Sequence, residues 1–185
     1  MELISTVTLL LSLGTILAHI FIALVLVWYF LLQESFKPVA DYLSKHGILI
    51  AFKIAVISML ASLFYSNVAG FAPCELCWFQ RIFMYPLVVL LGMALWKKDV
   101  KIVEYALPLS VIGFIISLYQ NYIYYFNNGL DAYCQAGGTL VSCVKRYVFE
   151  FGYISIPIMA LTGFALIIIF LLFQKGYNKL NNLKL

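Results

Sequence analysis

Residues 3–32 read LISTVTLLLSLGTILAHIFIALVLVWYFLL, thirty consecutive residues without an Asp, Glu, Lys or Arg. A bilayer core of about 30 Å needs roughly 20 apolar residues in a helix, because every backbone polar group must be paired within the segment. The run therefore predicts a membrane-spanning helix. It does not resemble a cleaved signal peptide, since Glu2 makes its start acidic and the apolar run is longer than a signal peptide's.

The composition of the whole chain agrees with a membrane protein. Of 185 residues, 64% are hydrophobic and 11% are charged, whereas soluble domains are about half apolar and about a quarter charged. The lipid bilayer is thus the expected solvent. The formal net charge of +4 is small and dispersed, so no nucleic-acid partner is expected.

Four further stretches are long and apolar enough to span the bilayer. We see no internal repeat and no soluble domain, so the sequence predicts an all-α integral membrane protein with five transmembrane helices. The four stretches are Gly47–Phe71, Trp78–Trp96, Ile102–Phe126 and Tyr153–Phe173.

The basic residues predict the orientation of the helices. Cytoplasmic loops carry the excess of Lys and Arg. One set of loops and tail holds only Arg81, Lys145 and Arg146, which places the N-terminus and that set outside and the C-terminus in the cytoplasm. The opposite set holds Lys37, Lys45, Lys53, Lys97, Lys98, Lys101, Lys175, Lys179 and Lys184.

Both cysteine pairs fall on the predicted outer face. Cys74 and Cys77 lie between the second and third helices, and Cys134 and Cys143 lie between the fourth and fifth. The extracytoplasmic side is the compartment in which disulfides persist. The sequence therefore predicts disulfide chemistry outside the cytoplasm.

The first pair is suited to a bond that forms and breaks. A two-residue spacing keeps the sulfurs close after reduction, and so small a loop stabilises the fold by only about 2 kcal/mol. Cys77 lies at the expected start of the third helix, and Arg81 follows one turn later. Because a helix N-terminus and a nearby cation lower a thiol's pKa, this pattern predicts a reactive Cys77 thiolate.

The second pair, Cys134 and Cys143, lies in a polar loop with two adjacent glycines. Taken alone, it would be interpreted as a structural staple, as most extracytoplasmic disulfides are. Beside a reactive pair on the same face, an exchanging pair is favoured. Its eight-residue spacing does not fit a zinc knuckle, so no metal is expected.

Two exchanging pairs require an electron acceptor. The chain has no C-x-x-C-H haem attachment sequence and no Gly-rich nucleotide fingerprint. Because Cys77 and Arg81 lie at the lipid boundary, a membrane quinone is the expected acceptor.

The run Cys74-x-x-Cys77-Trp-Phe-Gln-Arg81, the outer loop with two cysteines and the sequence FGYISIP at residues 151–157 resemble the DsbB-type disulfide bond formation proteins. The resemblance is closest to their short-loop, BdbC-like branch. It covers residues 47–173 and implies a four-helix transmembrane bundle in the bacterial cytoplasmic (inner) membrane. Residues 1–34 would then be an additional N-terminal transmembrane helix, and residues 174–185 a basic cytoplasmic tail.

The resemblance also implies a role for each site residue. Cys77, Gln80 and Arg81 would bind the quinone (ubiquinone or menaquinone), with Cys74 as the redox partner of Cys77. Cys134 would form the mixed disulfide with a soluble DsbA- or BdbD-like thioredoxin-fold oxidase. The remaining member, Cys143, would pass electrons to the first pair. The implied activity is that of a membrane thiol:quinone oxidoreductase that supports disulfide formation in exported proteins.

Three alternatives remain open at this stage. The chain could be a non-enzymatic membrane scaffold with two structural disulfides. It could be a relay similar to vitamin K epoxide reductase, although in that family the loop pair precedes the C-x-x-C. Electrons could also flow in the reverse, reductive direction, because about 30 mV shifts a two-electron equilibrium tenfold.

Three polar residues within the predicted spans allow two interpretations each. Gln120 and Asn121, near the outer end of the fourth helix, could line a quinone pocket or make helix contacts. An ionisable His19 inside the membrane is a functional candidate. A neutral histidine bonded to Thr15 or to a facing helix is the favoured interpretation.

Overall fold

The computed structural model describes residues 2–31, 43–126, 142–143 and 145–182. In these residues it has five long helices and, apart from one isolated bridge between Glu150 and Ile154, no β-structure. All five helices are long and apolar enough to cross a membrane, which confirms the predicted all-α membrane fold. The helices are α1 (Glu2–Leu31), α2 (Gly47–Leu63), α3 (Glu75–Lys97), α4 (Val103–Phe126) and α5 (Ile156–Asn182).

Helices α2 to α5 form a four-helix bundle, in which each helix packs against its neighbours in sequence and α5 closes the ring against α2. Helices that are consecutive in sequence are therefore neighbours in the ring, as in an up-down-up-down bundle. Helix α1 lies outside the ring and packs mainly against α5. Helices α2 to α5 therefore form a complete ring without α1, and α1 covers one side of that ring.

The bundle core combines large side chains with small residues that allow close approach of the helices. The ring of Phe164 lies over Gly113, where an added Cβ would come within 2.2 Å of it. The large core side chains are fully buried: Leu87, Leu91, Phe164, Ile167 and Leu171.

His19 attaches α1 to α5. Its Nε2 lies 2.8 Å from the Thr162 hydroxyl, which donates its own proton to the Ile158 carbonyl, so Nε2–H is the donor to Thr162. On the other side of the ring, Nδ1 lies 3.2 Å from the Tyr153 hydroxyl. The bonds go to the facing helix and the turn before it, while the Thr15 hydroxyl donates to Leu11.

Three helix boundaries differ from the predicted ones. α3 begins at Glu75 instead of Trp78, because Cys74 takes an extended conformation at the N-cap. The α-helical part of α2 ends at Leu63 and continues as one π turn, Phe64–Val68. α5 begins at Ile156 instead of Tyr153, because the preceding turn contains two positive φ angles.

The last helix also extends to Asn182, so most of the predicted tail is helical. No proline interrupts residues 174–182. Gln174 is still buried beside Gly47 and donates to Asn178, one turn further along. The helix therefore continues past the apolar run because its first polar residues still pack against the bundle.

Candidate redox site

Three of the four cysteines meet at one end of the bundle. Cys74 Sγ lies 3.3 Å from Cys77 Sγ, and Cys143 makes a side-chain hydrogen bond with Cys74. All three are free thiols in this structure, and they pack around Ile123 of α4. Cys74 is thus adjacent to one sulfur from each pair, while Cys134 lies outside the described residues.

The local backbone explains how the first pair is held. Cys74 is the extended N-cap residue of α3, and its carbonyl accepts the amide of Trp78. Cys77 lies within the first helical turn, so the two side chains project toward the same end of the helix. Their short separation follows from the three-residue step around one turn.

Gln120 of α4 bonds both sulfurs of this pair. Its Nε2 lies 3.3 Å from Cys77 Sγ and 3.4 Å from Cys74 Sγ. Gln80 donates to the Gln120 carbonyl oxygen at 2.6 Å, which turns the Gln120 amide protons toward sulfur. Both glutamines are buried. A neutral donor in a buried setting stabilises negative charge on either sulfur.

Arg81 is held by α2. Its Nε donates to Ser62 Oγ at 2.9 Å and its Nη2 to the Ser62 carbonyl at 3.1 Å. The guanidinium also lies 5.1 Å from the centre of the Trp78 ring. The sequence placed Arg81 beside the Cys77 thiolate, but its described hydrogen bonds go to Ser62, one residue before the α2 terminus and next to the π turn.

The Cys74 thiol is a weak acid in this reduced arrangement. Its hydrogen bond with Cys143 is the main cause that raises its pKa to about 11, and burial adds to the effect. At neutral pH the reduced Cys74 side chain is therefore a neutral thiol. At neutral pH, Cys74 therefore becomes predominantly a thiolate only at the moment when a disulfide bond to its sulfur is cleaved.

A cavity of about 440 Å³ opens from the cysteines into the membrane part of the protein. Cys77 and Arg81 line it together with residues of α1, α2 and α5. At its outer end the ring of Phe71 stacks on that of Tyr147, with 4.6 Å between centroids. Tyr85, one turn beyond Arg81, also lines the cavity, and its buried hydroxyl has no hydrogen-bond partner among the described residues.

Sequence reasoning did not identify Ser62, Tyr85 or the Phe71–Tyr147 stack. Their residue types are common in membrane helices and loops, so no local signal marks them. Gln120 and Asn121 were recognised as candidates, and the structure separates them. Gln120 lies at the sulfurs, whereas Asn121 donates to the carbonyls of Ser117 and Pro157 and joins α4 to α5.

Comparison with known proteins gives a consistent picture. Residues 44–174 match the family described as disulfide bond formation protein DsbB. The chain is 43% identical over 129 residues to the "Probable disulfide formation protein C 2" of Bacillus cereus, covering 70% of this chain and 91% of that protein. It is 42% identical over 128 residues to the "Disulfide bond formation protein C" of Bacillus subtilis, covering 66% and 88%. No solved structure matches the chain.

Proposed function

Because this chain belongs to the DsbB family of disulfide bond formation proteins and is BdbC-like, we propose that it reoxidises a soluble thioredoxin-fold dithiol oxidase and passes the electrons to a membrane quinone. Family membership itself makes it a multi-pass bacterial membrane protein and a thiol oxidoreductase that acts in disulfide formation. The acceptor, the partner and the direction of electron flow are the proposed parts.

One observation carries the proposal: Cys74 contacts both Cys143 and Cys77, and Arg81 lies one turn after Cys77 on α3 and lines the same cavity. This order fits a path from the loop pair through Cys74 to Cys77 and then to an acceptor in the membrane. Two structural staples would not need a third sulfur packed against one of the pairs.

The path begins with the loop pair. The partner's dithiol reduces the Cys134–Cys143 disulfide through a mixed disulfide on Cys134, and the partner leaves with its own disulfide. The Cys143 thiolate then attacks Cys74 Sγ of the Cys74–Cys77 disulfide. The Cys74–Cys77 bond breaks, a Cys74–Cys143 bond forms, and Cys77 is released as a thiolate beside the Gln120 amide.

The Cys134 thiolate closes the exchange by attacking Cys143 Sγ. This step restores the loop disulfide and releases Cys74 as a thiolate, which takes up a proton to become a free thiol. The first pair now holds the two electrons from the partner as two free thiols. Oxidation of Cys74 and Cys77 to a disulfide returns the protein to its starting point.

The cavity fits a quinone ring with polar oxygens at opposite ends. Its volume lies within the range of small-molecule sites. Arg81 lines the cavity with Cys77 and has N–H donors beyond the two that bond Ser62. The Tyr85 hydroxyl, which has no partner among the described residues, lies one turn deeper. A bound quinone supplies the acceptor for the two electrons and two protons that the Cys74 and Cys77 thiols release. Cys77, Gln80 and Arg81 remain the proposed quinone-side residues, with Gln80 acting through Gln120.

The proposed orientation places the cysteine end of the bundle outside the cytoplasm, as the distribution of lysines predicts. A maleimide that cannot cross the bilayer should therefore label the reduced cysteines in intact cells. Labelling only after the cells are opened would contradict the orientation and the proposed function with it.

Three variants test the function itself. Cys143→Ala leaves Cys134 without its resolving partner, so a mixed disulfide with a soluble thioredoxin-fold protein should accumulate and be identified by mass spectrometry. Cys77→Ala should abolish quinone reduction by a reduced dithiol protein. Arg81→Ala is the matched variant, which should weaken quinone use but leave the Cys134 mixed disulfide unchanged. Undiminished turnover in Cys77→Ala would overturn the proposal.

A further inference from the structure

Helix α1 lies outside the residues that match the family, 44–174, yet it forms one wall of the cavity that contains Cys77 and Arg81. We propose that α1 and α2 together hold the isoprenoid tail of the membrane quinone and admit it sideways from the lipid. This inference rests on the proposed function and goes beyond it, because it assigns a binding role to a helix outside the four-helix bundle.

Two different faces of α1 support this role. The polar residues Thr8, Ser12 and Thr15 are buried on the face that packs toward the bundle. Gly14 and Ala18 line the cavity from the adjacent flank. A Cβ built on Gly14 would meet no atom within 4 Å, so the missing side chain leaves open space on the cavity wall.

The cavity opens to the lipid between α1 and α2. Leu10 of α1 and Ile57 of α2 both line it, and they are also 63% and 56% exposed. In a membrane-spanning region, exposed leucine and isoleucine side chains face hydrocarbon. Leu10 and Ile57 therefore form the two edges of a lateral opening at the depth of the acyl chains.

The apolar part of the cavity continues inward from the polar end. Ser62 holds Arg81 near the outer end of α2, and Ile54 lines the same cavity eight residues earlier, about 12 Å deeper along the helix. The wall between them includes Ile57 and Ala61. A ring held at Arg81 thus has an apolar channel for a hydrocarbon tail that runs toward the membrane centre.

A phospholipid acyl chain has the same hydrocarbon chemistry, so the experiment must separate the two sources. The protein is placed in nanodiscs of phosphatidylglycerol and phosphatidylethanolamine with a benzoquinone that carries a ten-carbon tail ending in a diazirine. Photolabelling followed by peptide mass spectrometry should mark the cavity-lining residues of the two helices, which are Leu10, Leu11, Gly14, Thr15 and Ala18 of α1 and Ile54, Ile57 and Ala61 of α2. Excess unlabelled tailed quinone should remove the label, whereas additional phospholipid should not.

Other labelling results would contradict the inference. Label confined to α4, or to the opposite face of α1 around Leu9, Leu13 and Ile20, would place the tail elsewhere. Label removed by phospholipid as efficiently as by quinone would assign the channel to lipid. If the unmodified protein neither bound nor reduced any quinone, with or without a tail, the proposed function would fail together with the inference.

Gly14→Leu provides a second test, because a leucine side chain would fill the open space on the wall. Binding is measured by quenching of tryptophan fluorescence, once with the tailed quinone and once with a quinone that has no tail. The dissociation constant of the tailed quinone should rise about tenfold, the loss expected when roughly two methylene groups leave an apolar site. That of the tail-less quinone should stay within about twofold.

Ala23→Leu is the matched control, since Ala23 lies on the same helix, is exposed and does not line the cavity. It should change neither constant. If Gly14→Leu weakened both quinones equally, or weakened neither, the tail would not lie against α1, although the thiol and quinone chemistry of the four-helix bundle would stand.

Discussion

The side-chain amide nitrogen of Gln120 lies 3.3 Å from the Cys77 sulfur and forms a bond between α4 and the first turn of α3. Gln80 fixes the orientation of this amide by donating to its oxygen. An amide donor costs less to bury than a cation, and in a buried setting its bond to a thiolate is stronger than in water. The thiolate formed at Cys77 is therefore stabilised by a neutral group, while the nearby cation Arg81 is bound to Ser62.

Gln120→Leu removes this donor and keeps a side chain of similar length. A hydrogen bond to a charged group contributes about 1.5–3 kcal/mol, so alkylation of Cys77 at pH 8 should slow at least about tenfold. The rate is measured on the reduced protein by mass spectrometry. Gln174→Leu is the control, because Gln174 is equally buried but bonds Asn178 far along α5. Equal slowing in both variants would show a general packing effect.

The reactivity of Cys74 should depend on pH in a way that the Cys143 contact controls. The hydrogen bond with Cys143 raises the Cys74 pKa to about 11, so the reduced thiol should be alkylated tenfold faster per pH unit between about pH 8 and pH 10. Cys143→Ala should lower the pKa toward the usual value of about 8.5. A plateau already at pH 9 in the unmodified protein would contradict the assignment.

The same shift predicts how stability depends on pH. The folded state holds the Cys74 proton more tightly than the unfolded state, whose thiol has a pKa of about 8.5. The stabilisation is therefore fully present below about pH 8.5 and is lost as the pH rises through about 11. Alkaline unfolding of the reduced protein should reveal this loss, and Cys143→Ala should reduce it.

Ser62 positions Arg81, and its hydroxyl can be removed without touching the arginine. In Ser62→Ala the bond from Nε is lost, while the bond from Nη2 to the backbone carbonyl remains. The KM for quinone should rise about tenfold, consistent with one charged hydrogen bond, and kcat should change little. The control is Ser110→Ala, whose buried hydroxyl donates to the Ala106 carbonyl in its own helix. A similar KM change in both variants would remove Ser62 from this role.

Tyr85 offers a test in which affinity and stability should move in different directions. Its buried hydroxyl has no partner in the described part of the chain, so Tyr85→Phe should leave the melting temperature unchanged or raise it. If a quinone oxygen is the missing partner, the dissociation constant for quinone should rise about fivefold. A lower melting temperature with unchanged affinity would show that the hydroxyl serves the fold.

The number of helices could be predicted because each helix carries its own uninterrupted apolar run. The boundaries depend on interactions that the runs do not encode. Cys74 caps α3 although cysteine is not among the preferred N-cap residues. α5 extends to Asn182 because Gln174 packs against the bundle, which hydropathy cannot indicate.

The site could be predicted only in part, for a related reason. The spacing of Cys74 and Cys77 is local and visible in sequence, whereas the contact of Cys74 with Cys143 joins two distant loops. Gln120 and Asn121 are adjacent in sequence, and a rotation of about 100° around the helix axis decides which one faces the sulfurs. That rotation is set by packing between α4 and α5. The role of Cys134 stays a prediction.

The packing of α4 on α5 has its own sharp test. An alanine at Gly113 would bring its Cβ within 2.2 Å of the buried Phe164 ring, and Phe164 is fully buried in the core. Overpacking of this kind costs about 1–3 kcal/mol, so the unfolding midpoint in denaturant should fall.

At Gly176, near the end of α5, an added Cβ meets no atom within 4 Å. Gly176→Ala should therefore leave the midpoint unchanged or raise it slightly, since alanine favours the helix. Equal loss in both variants would mean that α4 and α5 do not approach each other through Gly113. In that case the bond from Asn121 to Pro157, which depends on the same approach, would also be in question.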